Sequence, residues 1–198
     1  MSRRNQTAEL KRRIMDAALV RFSQEGIERT NIGDILEDAD CSVGSFYHHF
    51  GNKEGIVEAV FMTGFERFNR ELLEALLSRR TAATGIRAIV TYLCRFATGQ
   101  PQLAAYVLSR EIKLSKSARQ ELAEMDRALF EELNRWFTPH IDSGDLKRLP
   151  PALYMPLITG PTFEYARMWL SKRNRQSPAQ VSDLLAEAAW QSIRGEDR

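Results

Sequence analysis

Residues 31–53 read NIGDILEDADCSVGSFYHHFGNK, and the spacing within this stretch decides how the rest of the chain is read. Ile32, Ile35, Leu36 and Ala39 recur three and four apart, which puts them on one face of a short helix. Asp40, Cys41 and Ser42 break that period, and Ser42 has the side chain of a helix N-cap. The helix that follows, 43–50, sets Phe46 and Phe50 on its inner side, one turn apart, and leaves Gly44, Ser45, Tyr47, His48 and His49 pointing outward. Small, hydroxylic and aromatic groups on an exposed short helix make poor core. They suit a surface that must come close to a phosphate backbone and to base edges. Two helices joined this way form the helix-turn-helix arrangement, whose second helix enters the major groove of DNA.

Working outward, the N-terminal side supplies a first helix over about residues 7–24, with Thr7 as its cap and residues 1–6 as a mobile arm from which Arg3 and Arg4 can reach DNA. Its inward face is Leu10, Ile14, Ala17, Ala18 and Phe22, with either Val20 or Arg21 completing it, and Gly26 ends it. Thr30 or Asn31 caps the second helix, and Asp34 favours its positive end. On the other side Lys53 opens a long helix to residue 77. Its apolar set, from Ile56 to Leu77, is too broad for one stripe and must be covered on several sides. Helical periods continue over 86–97, from 103 to about 114, over 117–141, over 151–172 and from 178 onward. Pro156 and Gly160-Pro161 are expected to kink or interrupt the fourth of these. No strand alternation, repeat or low-complexity tract occurs. The chain reads as all-α: an N-terminal three-helix helix-turn-helix domain over 1–52, a connecting helix over 53–77, and a C-terminal helical bundle of about six helices over 78–198 for ligand binding and dimerisation.

Composition agrees with a globular protein: 198 residues, 43% hydrophobic and 27% charged. There is no apolar run long enough to span a bilayer, and no apolar core of a secretory signal at the N-terminus. Cys41 and Cys94 stand in separate helical patterns, so a reducing cytoplasm is expected and no disulfide framework. The net charge of +2 says little; its distribution says more. Residues 1–21 carry six basic side chains against two acidic, residues 22–53 two against six, yet no acid falls within 41–52. The proposed reading face is therefore free of charge that would repel phosphate. No phosphate-cradling glycine loop, HExxH or paired-cysteine motif is present, and neighbouring His48 and His49 cannot readily share an ion on a helix. Neither an enzymatic activity, a cofactor nor a metal is expected.

Residues 8–64 resemble the DNA-binding domain of the tetracycline-repressor (TetR) family of bacterial transcription regulators. The resemblance is carried by Ile14, Ala17, Ala18, Phe22 and Gly26, by Thr30-Asn31-Ile32 and Asp34-Ile35, and by Ala39. It continues through Ser42-Val43-Gly44-Ser45-Phe46-Tyr47-His48-His49-Phe50 and Asn52-Lys53-Glu54. Asp40 departs from the glycine usual in the family, and Leu36 from the usual alanine; Asp tolerates a left-handed turn. The resemblance implies that Val43, Gly44 and Ser45 lie nearest the bases, and the helix-capping Ser42 is expected with them among the DNA-binding residues. It further implies that Tyr47, His49 and Lys53 reach phosphates, that His48 meets sugar-phosphate or a thymine methyl, and that Thr30 and Asn31 touch the backbone at a helix N-terminus.

In this family the last two helices pair with their copies in a second chain, and Leu184, Leu185, Ala188 and Ala189 are the residues expected at that interface. The aromatics and bendable segments of 84–170 suggest an effector pocket drawing on Tyr92, Phe96, Tyr106, Phe130 and Phe163, with Arg110, Glu164 and Arg167 as polar handles. The expected protein is a homodimeric regulator, a repressor released from a palindromic double-stranded operator by an unknown small molecule, with no membrane partner. The reading from another class is an all-α protein-interaction module without ligand response.

Overall fold

The computed structural model describes residues 3–109 and 112–195, with side chains from residue 5 onward. Among these residues there is no strand; nine α-helices follow one another: α1 (Arg3–Glu25), α2 (Ile32–Asp38), α3 (Val43–Phe50), α4 (Lys53–Leu77), α5 (Ala82–Gly99), α6 (Pro101–Val107), α7 (Lys116–Asp142), α8 (Pro151–Leu170) and α9 (Ser182–Ile193). A 3₁₀ turn, Pro178–Val181, leads into α9 and is held by a capping box between Ser177 and Gln180. No described helix is long and apolar enough to cross a membrane.

Two cores organise the helices. In the first, Ile14, Ala18 and Phe22 of α1 meet Ile35, Leu36 and Ala39 of α2, Phe46 of α3, and Ile56, Val57 and Val60 of α4. Arg21 settles the phase of α1: it turns inward and donates two hydrogen bonds to Asp38 of α2, at 2.6 and 2.9 Å, while Val20 is exposed. Asp40 occupies the left-handed region at φ 46°, as its place in the turn demands. The second core runs from Phe68, Leu72 and Leu76 of α4 through Ile86, Ile89, Val90 and Leu93 of α5 to Leu133 and Phe137 of α7, Ile158 of α8 and Ile193 of α9.

Helix α6 ties the two together. A Cβ at Gly64 would lie 2.7 Å from Leu103 and 3.1 Å from Val107, so the glycine lets α6 press against α4. Tyr106, on the same short helix, stacks on Phe22 of α1 (5.8 Å, 9°) and donates its hydroxyl hydrogen to the Val57 carbonyl at 3.0 Å. Burial pushes its phenol pKa up, so the hydroxyl stays protonated and remains a donor.

Three expectations are corrected. Helix α1 begins at Arg3 instead of Thr7, so no arm spans residues 3–6; the side chains of Arg3 and Arg4 lie outside the described ones. Helix α6 ends at Val107 and does not run on to residue 114. Helix α8 continues unbroken past Pro156 and Pro161. Both prolines lie on its exposed side, as do Ala152 and Leu157, whose carbonyls lose their intrahelical donors. Water can serve those carbonyls, so the cost that would interrupt a buried helix is small here.

Candidate nucleic-acid interface and effector domain

Helix α3 is built so that one side is fixed and the other open. Phe46 is fully buried and its ring meets those of Tyr47 and Phe50, both 5.5 Å away. Ser42 accepts the Ser45 backbone N–H at 3.3 Å, which caps the helix, and donates to the Ser45 hydroxyl at 3.0 Å. With its oxygen engaged, Ser45 keeps its own O–H hydrogen to donate elsewhere. Val43 is 59% exposed and Tyr47 50%. A Cβ added to Gly44 would meet nothing within 4 Å. A helix-interior glycine costs stability relative to alanine, and packing within this chain gives no reason for it.

The turn after α3 orients the surface. Gly51 at φ 74° ends the helix, and Asn52 accepts the Gly55 N–H at 2.8 Å to start α4. A Cβ at Gly55 would sit 1.9 Å from the Phe50 carbonyl oxygen, so this junction closes only around glycine. Helix α3 is thereby locked to the start of α4. Asn31 caps α2 from an exposed position with its amide uncommitted, leaving it able to meet a phosphate. His48 is exposed. Partial burial, Lys11 and His48 lower the His49 pKa, in that order, so His49 is neutral at physiological pH in the free protein.

One expected DNA contact is corrected. Thr30 is only 2% exposed and donates its hydroxyl to the Gly26 carbonyl at 2.9 Å, bracing the turn between α1 and α2 from inside. Lys53 donates one hydrogen to the Glu28 carbonyl at 3.0 Å, which ties α4 to the same turn and leaves two ammonium hydrogens for other acceptors. No cluster of three or more His, Cys, Asp or Glu suited to a metal exists among the described residues.

Of the eight residues expected to wall one effector pocket, the seven described ones are not gathered at a single cavity, although Tyr92, Phe96 and Phe163 meet around the ring of Phe68. Tyr92 and Phe96 line an outer groove of about 540 Å³ between α4 and α5, with Glu71, Arg79, Arg87 and Arg95. Tyr92 donates to the Phe68 carbonyl at 3.1 Å. Glu164 and Arg167 pair with each other beside a separate hollow of about 510 Å³ near Leu108 and Met168. Phe163 packs on Phe68 within the second core, at 6.2 Å, and Phe130 is 44% exposed on the outer side of α7. Tyr106 belongs to the core of the helix-turn-helix domain. Arg110 lies outside the described residues.

At the far end, α8 and α9 pack on one another and present an apolar surface. Leu184 is 74% exposed, Ala188 also faces outward, and Leu153 (44%) and Leu157 (36%) lie exposed on α8. Ala189, expected in the same interface, is buried in the chain's own core, and Leu185 packs partly against that core. The leucines of α8 were not among the expected interface residues; the available signal was the excess of apolar residues in 151–170 over what one inward face can use.

An all-α chain with a capped, outward-facing second helix in an N-terminal helix-turn-helix domain, mounted by α4 on a helical bundle, has the architecture of a helix-turn-helix DNA-binding protein. The family model described as "Bacterial regulatory proteins, tetR family" matches residues 14–60. Over those residues the chain carries the helix-turn-helix domain that this family model describes. It is similar to the HTH-type transcriptional regulator UidR of Escherichia coli (strain K12), 26% identical over 125 residues, which are 57% of this chain and 64% of that protein. Among solved structures it is similar in fold to the regulator FadR from Bacillus subtilis in complex with stearoyl-CoA, with TM-score 0.77 and 22% identity, covering 92% of this chain and 99% of that one. It is also similar in fold to AibR in complex with isovaleryl coenzyme A and operator DNA, with TM-score 0.73 and 18% identity, covering 89% and 96%.

Proposed function

We propose that this protein is a homodimeric, sequence-specific DNA-binding transcription regulator of the bacterial cytoplasm, a repressor that a small-molecule effector releases from a palindromic operator. The outward face of α3 carries this reading. Val43, Gly44, Ser45 and Tyr47 are held over a buried Phe46, and no acid falls within residues 41–52. In the complex Val43 and Gly44 face base edges and Ser45 donates its free hydroxyl hydrogen to a base acceptor. Tyr47, His49 and Asn31 contact phosphates on either side and fix the register.

Two copies joined through the α8–α9 surface, with Leu153, Leu157, Leu184 and Ala188 at its centre, set two α3 helices to enter successive major grooves, about 34 Å apart. Such an interface is isologous: each leucine is used twice. Helix α4 spans about 37 Å at 1.5 Å per residue, so a tilt of about 5° at its bundle end moves α3 by about 3 Å. That is enough to spoil a match to successive grooves. Tyr106 of α6, bound to both Phe22 and Val57, passes rearrangement of the bundle to the DNA-binding domain. An effector shifts this balance by binding the splayed arrangement more tightly than the DNA-competent one. FadR with stearoyl-CoA and AibR with isovaleryl coenzyme A support an effector of the acyl-coenzyme A class.

The test is a titration of the protein against the duplex upstream of its own gene and against a scrambled duplex, at two salt concentrations. The expected result is nanomolar binding with a preference of roughly a thousandfold or more for the natural duplex, and weaker binding as salt rises. Equal affinity for both duplexes would overturn the reading.

A further inference from the structure

Helix α4 turns a nearly unbroken apolar face inward: Phe65, Phe68, Leu72 and Leu76 all contribute to the second core. Asn69 interrupts it. The residue is 8% exposed, and neither its amide oxygen nor its amide nitrogen has a hydrogen-bond partner among the described residues. On α8, Thr162 is 1% exposed and its hydroxyl is likewise unpaired. A buried helical threonine ordinarily returns its hydroxyl to the carbonyl one turn back, as Thr159 does to Met155 at 2.7 Å and Thr98 does to Cys94 at 2.9 Å. Thr162 does not.

The helix register brings these two residues to one level. Ser115, capping α7, donates to Glu58 of α4 at 3.0 Å, and Trp136 near the other end of α7 donates to the Arg79 carbonyl at 3.3 Å. Both pairs are 57 residues apart, so α7 runs parallel to α4 in constant register and Asp126 lies level with Asn69. Phe137 stacks on Tyr154 (5.2 Å) while Phe68 meets Phe163 (6.2 Å), so α8 runs antiparallel to both and carries Thr162 to the level of Asn69. Burial raises the pKa of the Asp126 carboxyl. The arginines nearest this level in sequence, Arg70 and Arg127, are exposed.

Resting on the effector-released regulator described above, we propose that Asn69 and Thr162 are the hydrogen-bonding end of its effector site between α4, α7 and α8, and that this site takes an apolar molecule carrying an uncharged carbonyl group: an ester, thioester or amide. The Asn69 amide N–H and the Thr162 hydroxyl donate to the carbonyl oxygen, and the surrounding phenylalanines and leucines cover the apolar body. A free carboxylate is disfavoured, because the arginines nearest this level among the described residues, Arg70 and Arg127, are exposed and leave a buried anion without a partner.

The test compares the wild-type protein with Asn69→Leu, a near-isosteric change that removes both polar atoms, and with Thr162→Val. The probes are decanamide and decanoate, read by thermal unfolding. Without probe, Asn69→Leu is expected to unfold about 2–4 °C higher than wild type, because a cost of the apo state has been removed. Decanamide is expected to raise the melting temperature of wild type, decanoate to do so less, and the decanamide shift to disappear in both variants. A lower melting temperature for probe-free Asn69→Leu would show its amide already satisfied and overturn the proposal. A decanamide shift preserved in the variants, a preference for decanoate, or no shift of wild type by decanamide would overturn it equally. Should Asn69→Leu fail to fold, Thr162→Val alone decides. Binding of the probe-free variants to the upstream duplex keeps this outcome apart from the DNA-binding reading: it is expected to equal wild type, and its absence in wild type would sink that reading, not the site.

Discussion

Replacing Leu184 tests the dimer surface without touching the fold of one chain. The side chain is 74% exposed and takes no part in the intrachain core, so a single protomer loses little when it is removed. Burying a whole leucine stabilises by roughly 1.5–3 kcal/mol, and about three quarters of that remains to be gained here, or about 1–2 kcal/mol. A twofold interface uses the residue twice, so Leu184→Ala should cost the dimer about 2–4 kcal/mol, or roughly 30- to 1000-fold in its dissociation constant. Sedimentation equilibrium over a wide range of protein concentration measures this, with far-ultraviolet circular dichroism showing that helix content is unchanged. Operator binding should then become steeper in protein concentration and shift to higher concentration, because two α3 helices are needed at once. An unchanged dimer constant for Leu184→Ala, with Leu153→Ala and Leu157→Ala equally silent, would refute the placement of the interface on α8 and α9.

Other perturbations separate reading from folding. Gly44→Ala should stabilise the free protein by about 0.5–1 kcal/mol in chemical denaturation and weaken operator binding, since the added methyl meets only DNA. Tyr47→Phe should weaken binding to all duplexes alike, whereas Ser45→Ala should mainly alter base preference in a binding-site selection. Tyr106→Phe removes the bond to the Val57 carbonyl; it should cost about 0.5–1.5 kcal/mol of stability and blunt effector-driven release more than it blunts DNA binding. The His49 pKa is lowered on folding, so the unfolded chain takes up the proton first and the His49 contribution to stability falls as pH drops through the interval between its ordinary and lowered values. Operator affinity should move the opposite way, rising as pH falls through the same interval, because a phosphate favours the protonated ring; His49→Gln should flatten both profiles.

The helix-turn-helix was legible because it depends on local chemistry. A capping serine, two phenylalanines one turn apart and an Asn-Lys-Glu-Gly helix start impose α2, α3 and the start of α4 whatever surrounds them. The side on which a residue ends was harder to read. Thr30 looked like a surface hydroxyl at a helix start, but its bond to Gly26 turns it inward. Ala189 shares the spacing of Ala188 within a turn of Leu184, yet α9 is covered from two sides and only one of those sides is left open. Pro156 and Pro161 read as breaks, because a sequence does not show that their unpaired carbonyls face water. Tyr106 carried no mark of belonging to the N-terminal core across 49 residues from Val57. Asn69 did carry a mark, as the polar residue in an apolar run, but its meaning depended on having no partner, which only the packed helices reveal.

The most direct measurement is a hydroxyl-radical and guanine-N7 methylation footprint of the protein on its upstream duplex. Two recognition helices in successive grooves should protect two major-groove patches on one face of the DNA, centred about 10 base pairs apart, and Val43→Asp together with Ser45→Asp should erase both while leaving the dimer intact. A single patch, protection confined to the minor groove, or a footprint untouched by those substitutions would contradict the assignment of α3 as the helix that reads DNA.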